Sequence, residues 1–277
     1  MQGKTLPEYF DGYIRQIDKR KNRTEPEFPT GIKFVDELTD GMQKGQVWTI
    51  SAKTAFGKTT LAVQIARNLA DSHKNVLFVS LEMQGEELVG RMFCEMMRQD
   101  NQLVKRGEYN PQYADTFLKY LQELNMEICE NGYSFEELLK IIKSYYPTKK
   151  PDAVFIDFAQ LIGWEQFKDQ RLAMESYMRK LTELAKKENI AIVIVSQLRR
   201  MPSGSDYNRE PDISDMKGTA ILEQLSYVCI LIYKEITSDS EKVILKVAKN
   251  RGGGTGKQEM RFIGSQYRFA EIEENLV

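Results

Sequence analysis

The feature that most constrains the fold is the stretch at residues 51–60, which reads Ser-Ala-Lys-Thr-Ala-Phe-Gly-Lys-Thr-Thr. It follows the apolar run at 47–50 and precedes a helical pattern at 61–73. In a strand, tight loop and helix of this kind, backbone N–H groups and the helix N-terminus point at phosphate groups. Lys58 would add a positive charge for the β- and γ-phosphates, and the Thr59 hydroxyl could ligate Mg²⁺. The stretch therefore predicts a nucleoside triphosphate site.

This phosphate loop (residues 52–59) departs from the usual G-x-x-x-x-G-K-S/T pattern, because Ala52 replaces the first glycine. The alternative is a glycine-containing turn whose lysine is merely solvated. Arg91 and Tyr267 are candidates for stacking on a base. The predicted nucleotide-binding residues are Ala52, Lys53, Thr54, Ala55, Phe56, Gly57, Lys58, Thr59, Thr60, Arg91 and Tyr267.

The composition narrows the class of protein. The chain has 277 residues, of which 42% are hydrophobic and 29% charged, as in ordinary soluble globular proteins. Its net charge of −1 means that any nucleic-acid site must be a local basic patch. The single histidine argues against a histidine zinc site or a Ser-His-Asp triad. Three scattered cysteines suit a reducing cytoplasm, and neither a secretory leader nor an apolar run of membrane-spanning length is expected.

The hydrophobic pattern predicts an α/β fold. Apolar runs that read as strands alternate with helical patterns, which indicates a parallel sheet covered by helices on both faces. Residues 199–219 break the pattern and form a polar, irregular segment. The predicted strands are 47–50, 76–80, 153–157, 190–195, 228–233 and 243–248, and the predicted helices are 61–73, 86–98, 111–126, 135–146 and 176–189.

An amphipathic helix is predicted at residues 6–23, where apolar side chains recur at helical spacing before a basic run. Pro26 and Pro29 mark a linker after it. We therefore expect two parts, a docking helix at 1–24 and an ATPase domain at 25–277. The helix could fold back on its own chain or dock on another subunit.

Two carboxylates are placed to serve phosphate chemistry. Asp157 ends an apolar strand, which is typical of the acid that holds Mg²⁺ in such sheets. Glu82 follows the strand at 76–80, where it could orient and deprotonate an attacking water. The alternatives are a strand-end cap for Asp157 and an ordinary surface residue for Glu82.

Three further side chains lie near strand ends. Gln197 ends the strand at 190–195, where a neutral amide could sense the γ-phosphate. Lys249 and Arg251 are spaced i, i+2 on extended chain, so they point the same way and could neutralise transition-state charge. From the residues alone, an ordinary polar strand end remains equally open for Gln197, and a basic hairpin turn is the favoured interpretation of Lys249 and Arg251.

Taken together, these segments resemble the helicase domain of DnaB-type replicative DNA helicases, within the RecA-like ring ATPases. The resemblance runs over roughly residues 6–272. Within this family, alanine is also common at the first position of the phosphate loop. The matching segments begin at Pro29 and include Ser80-Leu-Glu-Met, Phe155-Ile-Asp-Phe-Ala-Gln-Leu, Ser196-Gln-Leu-Arg-Arg, Ser214-Asp-Met-Lys, Glu223-Gln and Ala248-Lys-Asn-Arg-Gly-Gly-Gly-Thr-Gly.

The resemblance implies a RecA-like P-loop NTPase fold, with a mostly parallel twisted sheet flanked by helices and an N-terminal linker helix. It implies an ATP-hydrolysing helicase that uses ATP or another NTP with Mg²⁺ and moves 5′ to 3′ on single-stranded DNA as a hexameric ring. Lys58, Glu82, Asp157, Gln197, Lys249 and Arg251 would be catalytic, with the last two reaching the neighbouring subunit's nucleotide. Thr59 and Asp157 would hold the metal. Arg199, Arg200, Arg209, Lys217 and Gly218 would contact DNA.

The sequence departs from the family in two respects. Lys217, Gly218 and Ala220 stand where the family commonly has arginine, an acid and glycine. No primase-recruiting helical domain precedes residue 6, so we expect either an excised helicase half or a minimal phage- or plasmid-type helicase. Primase and a helicase loader are expected partners, and the cytoplasm of a bacterium or phage-infected cell is the expected location.

Two other functions remain open at this stage. The first is another RecA-like ATPase, such as a recombinase or a clock-type signalling ATPase. The second is a non-catalytic DNA-binding or scaffold module. The presence of Glu82 together with Lys249 and Arg251 disfavours the non-catalytic module, because a protein that only binds needs neither a catalytic base nor cations that neutralise transition-state charge.

Overall fold

The computed structural model describes residues 5–21, 26–132, 134–157, 169–199, 209–216, 220–236 and 240–272. The helices are α1 Leu6–Lys21, α2 Lys33–Thr39, α3 Lys58–Asp71, α4 Gly85–Met96, α5 Asn101–Lys105, α6 Pro111–Glu123, α7 Phe135–Ser144, α8 Tyr146–Lys149, α9 Gln170–Glu188 and α10 Ala220–Leu225. The strands are β1 Val47–Ala52, β2 Val76–Ser80, β3 Met126–Cys129, β4 Ala153–Asp157, β5 Ala191–Gln197, β6 Val228–Ile236, β7 Glu241–Asn250, β8 Gly256–Ile263 and β9 Arg268–Glu271.

All nine described strands form one sheet in the order β3-β2-β4-β5-β1-β6-β7-β8-β9. The first six in this order are parallel, and β7, β8 and β9 extend the sheet as antiparallel strands. The predicted α/β fold with a mostly parallel sheet is confirmed. Strands β1, β2 and β4 are buried along their whole length, as continuous apolar runs require.

The core has one layer on each face of the sheet. On one face, α3, α4 and α6 pack against alternate strand residues that include Trp48, Phe78 and Phe155. On the other face, α7, α9 and α10 cover the intervening residues, such as Leu77 and Val154. In a parallel sheet of this kind the carboxyl ends of the strands meet along one edge, which positions ligand-binding loops there.

Several boundaries differ from the sequence prediction for local reasons. Helix α6 ends at Glu123, not at residue 126, because Met126 begins an edge strand that pairs with β2. Helix α9 begins six residues earlier than predicted, where the Asp169 side chain accepts a hydrogen bond from the Arg171 N–H. Helix α7 begins at Phe135 as predicted, directly after Ser134, whose hydroxyl accepts a hydrogen bond from the Glu137 N–H.

Helix α1, predicted at 6–23, is described to Lys21. Its apolar side chains are all exposed, from 38% for Ile14 to 84% for Leu6. An ion pair of 3.1 Å between Arg20 and Asp40 links its end to the turn after α2. No described helix is both long enough and apolar enough to cross a membrane.

Candidate active site

The phosphate loop leaves the buried end of β1 and enters α3. Gly57 is the N-cap of α3 with φ 85°, and no side chain caps the helix. The first N–H groups of the helix therefore lack helical partners and face the open end, as anion binding requires. Ala52 is fully buried and is the last residue of β1, pairing with Gln197 and Ile232. Because Ala52 is extended strand, this position does not need glycine.

Two aromatic side chains from the end of the chain form a wall behind the phosphate loop. A Cβ atom added at Gly57 would lie 2.8 Å from the ring of Phe269 and 3.3 Å from that of Phe262. The backbone of Phe269 is held by both ends of the Gln64 amide, at 2.9 and 3.0 Å. Glycine at position 57 is thus fixed by a positive φ and by the proximity of this wall.

Lys58 lies between the two predicted carboxylates. Its Nζ atom is 2.8 Å from Glu82 Oε2 and 3.7 Å from Asp157 Oδ1. The Lys58 side chain is 9% exposed and that of Glu82 is 43% exposed. The N–H of Leu81 donates to the Asp157 carbonyl at 2.7 Å, which ties the chain after β2 to the end of β4. The structure therefore brings Lys58, Glu82 and Asp157 together at the carboxyl edge of the sheet.

Asp157 is the most unusual group of the site. It is fully buried, and among the described residues neither of its oxygens has a hydrogen bond of regular geometry, although the Thr59 hydroxyl is close enough to help hold its pKa down. Burial raises the pKa of Asp157 above its ordinary value, although the charge of Lys58 opposes this shift. Thr59, at the start of α3, is also buried. A buried, unsatisfied carboxylate beside a hydroxyl and an uncapped helix fits a Mg²⁺ ion held together with phosphates.

Gln197 contacts the phosphate loop directly, because its Nε2 atom donates to the Thr54 hydroxyl. The next residue, Leu198, donates its N–H to the Ala52 carbonyl at 2.9 Å and forms a β-bridge with Met216. The start of the polar segment is thus joined to the phosphate loop. Sequence reasoning named Thr54 and Gln197 separately, but no local pattern signalled that they touch.

Within the polar segment, ion pairs hold residues 209–216 in place. Arg209 Nη2 lies 2.6 Å from Asp215 Oδ1. Burial would raise the pKa of Asp215, but this pairing with Arg209 brings it below its ordinary value. Glu210 pairs with Lys246 and Lys257, both at 2.7 Å, and their hydrogen bonds lower its pKa to about 2.

The five predicted DNA contacts fall into two groups. Arg199 is exposed, with its backbone N–H bonded to the Asp215 carbonyl at 2.7 Å. Arg209 is exposed and ion-paired as above. The remaining three lie outside the described residues, namely Arg200, Lys217 and Gly218.

Lys249 and Arg251 do not meet the other predicted catalytic residues within one chain. Lys249 pairs with Cys229 near the amino end of β6, whereas Ala52 at the site pairs with Ile232. Both cations point the same way, as predicted, and reach α10: Lys249 Nζ donates to the Glu223 carbonyl, and Arg251 Nη2 donates to the Gln224 carbonyl.

The two predicted base-stacking residues lie against each other. The Arg91 guanidinium is 4.8 Å from the centre of the Tyr267 ring, and its Nη2 atom donates to Glu87 at 3.0 Å. Its buried Nε atom has no hydrogen-bond partner among the described residues. Elsewhere in the loop, Lys234 Nζ lies 5.3 Å from the centre of the Phe56 ring.

Comparison with protein families and curated sequences gives consistent matches. Residues 28–271 match the model of the DnaB-like helicase C-terminal domain. The chain is 28% identical over 276 residues to a probable plasmid replicative DNA helicase of Chlamydia trachomatis, covering 95% of this chain and 60% of that protein. It is 27% identical over 261 residues to a replicative DNA helicase DnaB of Geobacillus stearothermophilus, covering 88% of this chain and 56% of that protein. The chain therefore spans less than two thirds of these relatives.

Solved structures show the same fold. A solved ATPase domain has a TM-score of 0.86 at 22% identity, and the match covers 98% of this chain and 100% of that one. A DnaB-like replicative helicase, solved in a study of its interactions with primase, has a TM-score of 0.85 at 21% identity, covering 98% of this chain and 68% of that one. A KaiC-like protein from Pyrococcus horikoshii has a TM-score of 0.61 at 18% identity, covering 88% of this chain and 96% of that one.

Proposed function

Because the chain belongs to the family of the DnaB-like helicase C-terminal domain, we propose that it is the motor domain of a replicative DNA helicase. It would hydrolyse ATP or another NTP with Mg²⁺ between copies arranged in a ring, and move along single-stranded DNA in the cytoplasm. The family match favours this function over a recombinase or a clock-type ATPase. The observation that carries the proposal is the position of Lys58 between Glu82 and Asp157, beside the open N-terminus of α3.

The three groups would divide the work at the phosphates. Thr59 and Asp157 would hold Mg²⁺, which neutralises phosphate charge. Lys58 is paired to Glu82 within the chain. A bound triphosphate is a stronger partner for Lys58, so Glu82 would be left to accept the proton of an attacking water. Gln197, bonded to Thr54, would report the γ-phosphate to the polar segment.

The cations Lys249 and Arg251 support a site shared between two copies. They lie near the amino end of β6, about 10 Å along the strand from the level of Ala52, and face α10. In a ring of copies related head to tail, the same surface of one chain can face the phosphate loop of the next. Transition-state charge would then be neutralised by cations supplied in trans, as by an arginine finger.

Mixing two inactive variants tests this arrangement. Arg251→Ala and Glu82→Gln should each lose ATPase activity while keeping nucleotide affinity. In rings assembled from equal amounts, about a quarter of the interfaces would join an intact phosphate loop to an intact finger, so activity should return to about that level. A mixture of Lys58→Ala and Glu82→Gln is the matched control and should stay inactive, because both lesions lie on the same side of the interface. A mixture of Arg251→Ala and Glu82→Gln that stays inactive would contradict a shared site.

Assembly would use the exposed helix α1, so we propose residues 1–24 as a docking segment. Its apolar stripe is Leu6, Tyr9, Phe10, Tyr13, Ile14 and Ile17. A groove of about 940 Å³ between α4 and α6 offers a matching apolar surface, lined by residues such as Val89, Phe93 and Leu118. Leu118 is 57% exposed there. A stripe and a groove that are both uncovered in one chain could cover each other in two copies.

Charge substitutions on either side test this contact by sedimentation. Phe10→Glu in the stripe and Leu118→Glu in the groove should each shift the protein from ring to monomer. Arg15→Glu, on the polar side of α1, should leave the assembly intact. Equal assembly of the Phe10→Glu variant and the wild type would contradict α1 docking.

DNA binding should be mainly to phosphates, and therefore independent of sequence and sensitive to salt. Measuring ATPase activity with and without single-stranded DNA separates the motor from a binding-only module. The proposal expects stimulation by single strands of any sequence, and absence of turnover under both conditions would refute it.

A further inference from the structure

Lys249 and Arg251 already have partners in a single chain, and these partners are on α10. The Lys249 ammonium donates to the carbonyl of Glu223, and the Arg251 guanidinium donates to that of Gln224. The backbone of Arg251 is fixed as well, since its N–H donates to the Tyr227 carbonyl at 3.0 Å. The two side chains therefore close the C-terminal end of α10.

This contact satisfies groups that a helix leaves open. The last four carbonyls of a helix have no partner within it, and they carry the negative end of its dipole. Cations at this end stabilise a helix both by charge and by hydrogen bonds. Helix α10 has only six residues, so each contact at its end matters for its stability.

Helix α10 also stands next to the polar segment. It begins at Ala220, two residues after Gly218, one of the predicted DNA contacts. It is anchored on the core by Leu222, which is fully buried, and it packs against α9. Stability of α10 therefore fixes one end of the polar segment, while the contact of Gln197 with Thr54 fixes the other end.

The groups of α10 that accept hydrogen bonds from the two cations are neutral carbonyls. Burial lowers the pKa of Lys249, and the neighbouring charge of Arg251 lowers it further. Two like charges are thus held next to each other by neutral carbonyl dipoles and by the attraction of the nearby Glu223 charge. A triphosphate with several full negative charges is a far better partner for the pair.

We propose that Lys249 and Arg251 have two alternative partners. Within one chain they close the end of α10, and in the ring a triphosphate bound by the neighbouring copy competes with α10 for them. Occupation of one site then loosens α10 in the adjacent chain. This inference rests on the proposed function. Each polar segment would then respond to two nucleotides: to that of its own chain through Gln197, and to that of the neighbouring chain through α10.

Hydrogen exchange of the peptide 220–226, measured without nucleotide, tests whether Lys249 and Arg251 stabilise α10. The double variant Lys249→Ala/Arg251→Ala should exchange about three- to fivefold faster than the wild type, because α10 loses its terminal contacts. Lys242→Ala is the matched control, since Lys242 lies on the same strand and pairs with Glu259 at 2.6 Å. The variant Lys249→Arg/Arg251→Lys should retain most of the protection. Wild-type exchange in the double alanine variant would overturn the proposal.

A nonhydrolysable ATP analogue with Mg²⁺ tests the competition in assembled rings. The wild-type peptide 220–226 should exchange faster when the analogue is added, whereas the double alanine variant should not change, because it has no contact to lose. Unchanged or slower exchange in the wild type would overturn the proposal. Its failure is distinguishable from failure of the shared site, because the mixing experiment reports hydrolysis and the exchange experiment reports α10.

Discussion

Replacing Asp157 by asparagine should abolish hydrolysis and yet make the nucleotide-free protein more stable. The carboxylate is fully buried, has no hydrogen bond of regular geometry to the described residues, and lies 3.7 Å from the Lys58 ammonium. Its raised pKa means that burial outweighs the attraction of Lys58. Leaving a buried polar group unsatisfied costs about 1–3 kcal/mol. Asp157→Asn keeps a polar group at this position but removes its charge, and a charged group costs more to leave unsatisfied than a neutral one, so the substitution should stabilise the fold by about 1 kcal/mol at pH 7.

The pH dependence of this gain has a definite sign. An acid whose pKa is higher in the folded than in the unfolded state opposes folding once it ionises. For Asp157 this penalty is absent below the ordinary aspartate pKa of about 4 and grows as the pH rises above it. The difference in unfolding free energy between Asp157→Asn and wild type should therefore be largest near neutral pH and vanish below about pH 4.

Lys58 completes a double-mutant cycle. Lys58→Met leaves Asp157 buried without its cation and should cost about 3–5 kcal/mol, whereas the same change in the Asp157→Asn background should cost much less. Glu82→Gln is the control, because a side chain that is 43% exposed should contribute at most about 1 kcal/mol.

Urea unfolding without nucleotide or Mg²⁺ measures these differences in unfolding free energy. Two results would refute the reasoning. The first is an Asp157→Asn protein that is less stable than the wild type at pH 7. The second is an equal cost of Lys58→Met in both backgrounds.

Two further substitutions test the phosphate loop. Gly57→Ala forces a side chain against the ring of Phe269 at a positive φ, so we expect the free energy of unfolding to fall by about 1–3 kcal/mol in thermal unfolding. Binding of a fluorescent nucleotide should weaken as well. Gly90→Ala is the control and should not destabilise the fold, because the space around Gly90 is open. Thr54→Val removes the hydroxyl oxygen that accepts a hydrogen bond from Gln197. Nucleotide affinity should persist, while stimulation of ATPase activity by single-stranded DNA should fall. Full stimulation would show that this contact does not couple the nucleotide site to the DNA site.

The sequence was sufficient for those parts of the site in which chemistry and local pattern coincide. The strand, loop and helix around Lys58 and the acid at the end of β4 were readable because buried parallel strands are continuous apolar runs. Strands β8 and β9 were not predicted, because they are partly exposed and carry polar residues such as Lys257 and Glu259. Their pattern is therefore not one of continuous burial.

Contacts between segments far apart in the chain could not be predicted from the sequence for a different reason. The wall of Phe269 behind Gly57 and the reach of Arg251 to α10 depend on how elements far apart in the chain pack together. The sequence could indicate that Lys249 and Arg251 act as a pair. It could not indicate which helix holds them, because that follows only from the placement of β7 beside β6.

The wall behind the phosphate loop has a consequence for the order of folding. Gln64 and Phe269, which bond to each other on both sides of the amide, are 205 residues apart in sequence. Contacts of such long range form late, because the intervening chain must first be ordered. During synthesis, the segment from β1 through α3 is made long before β9. Until β9 is made, the phosphate loop lacks the Phe269 ring that packs behind it. A ribosome-bound chain that lacks β9 should therefore capture ATP poorly, and chains that include β9 should capture it well.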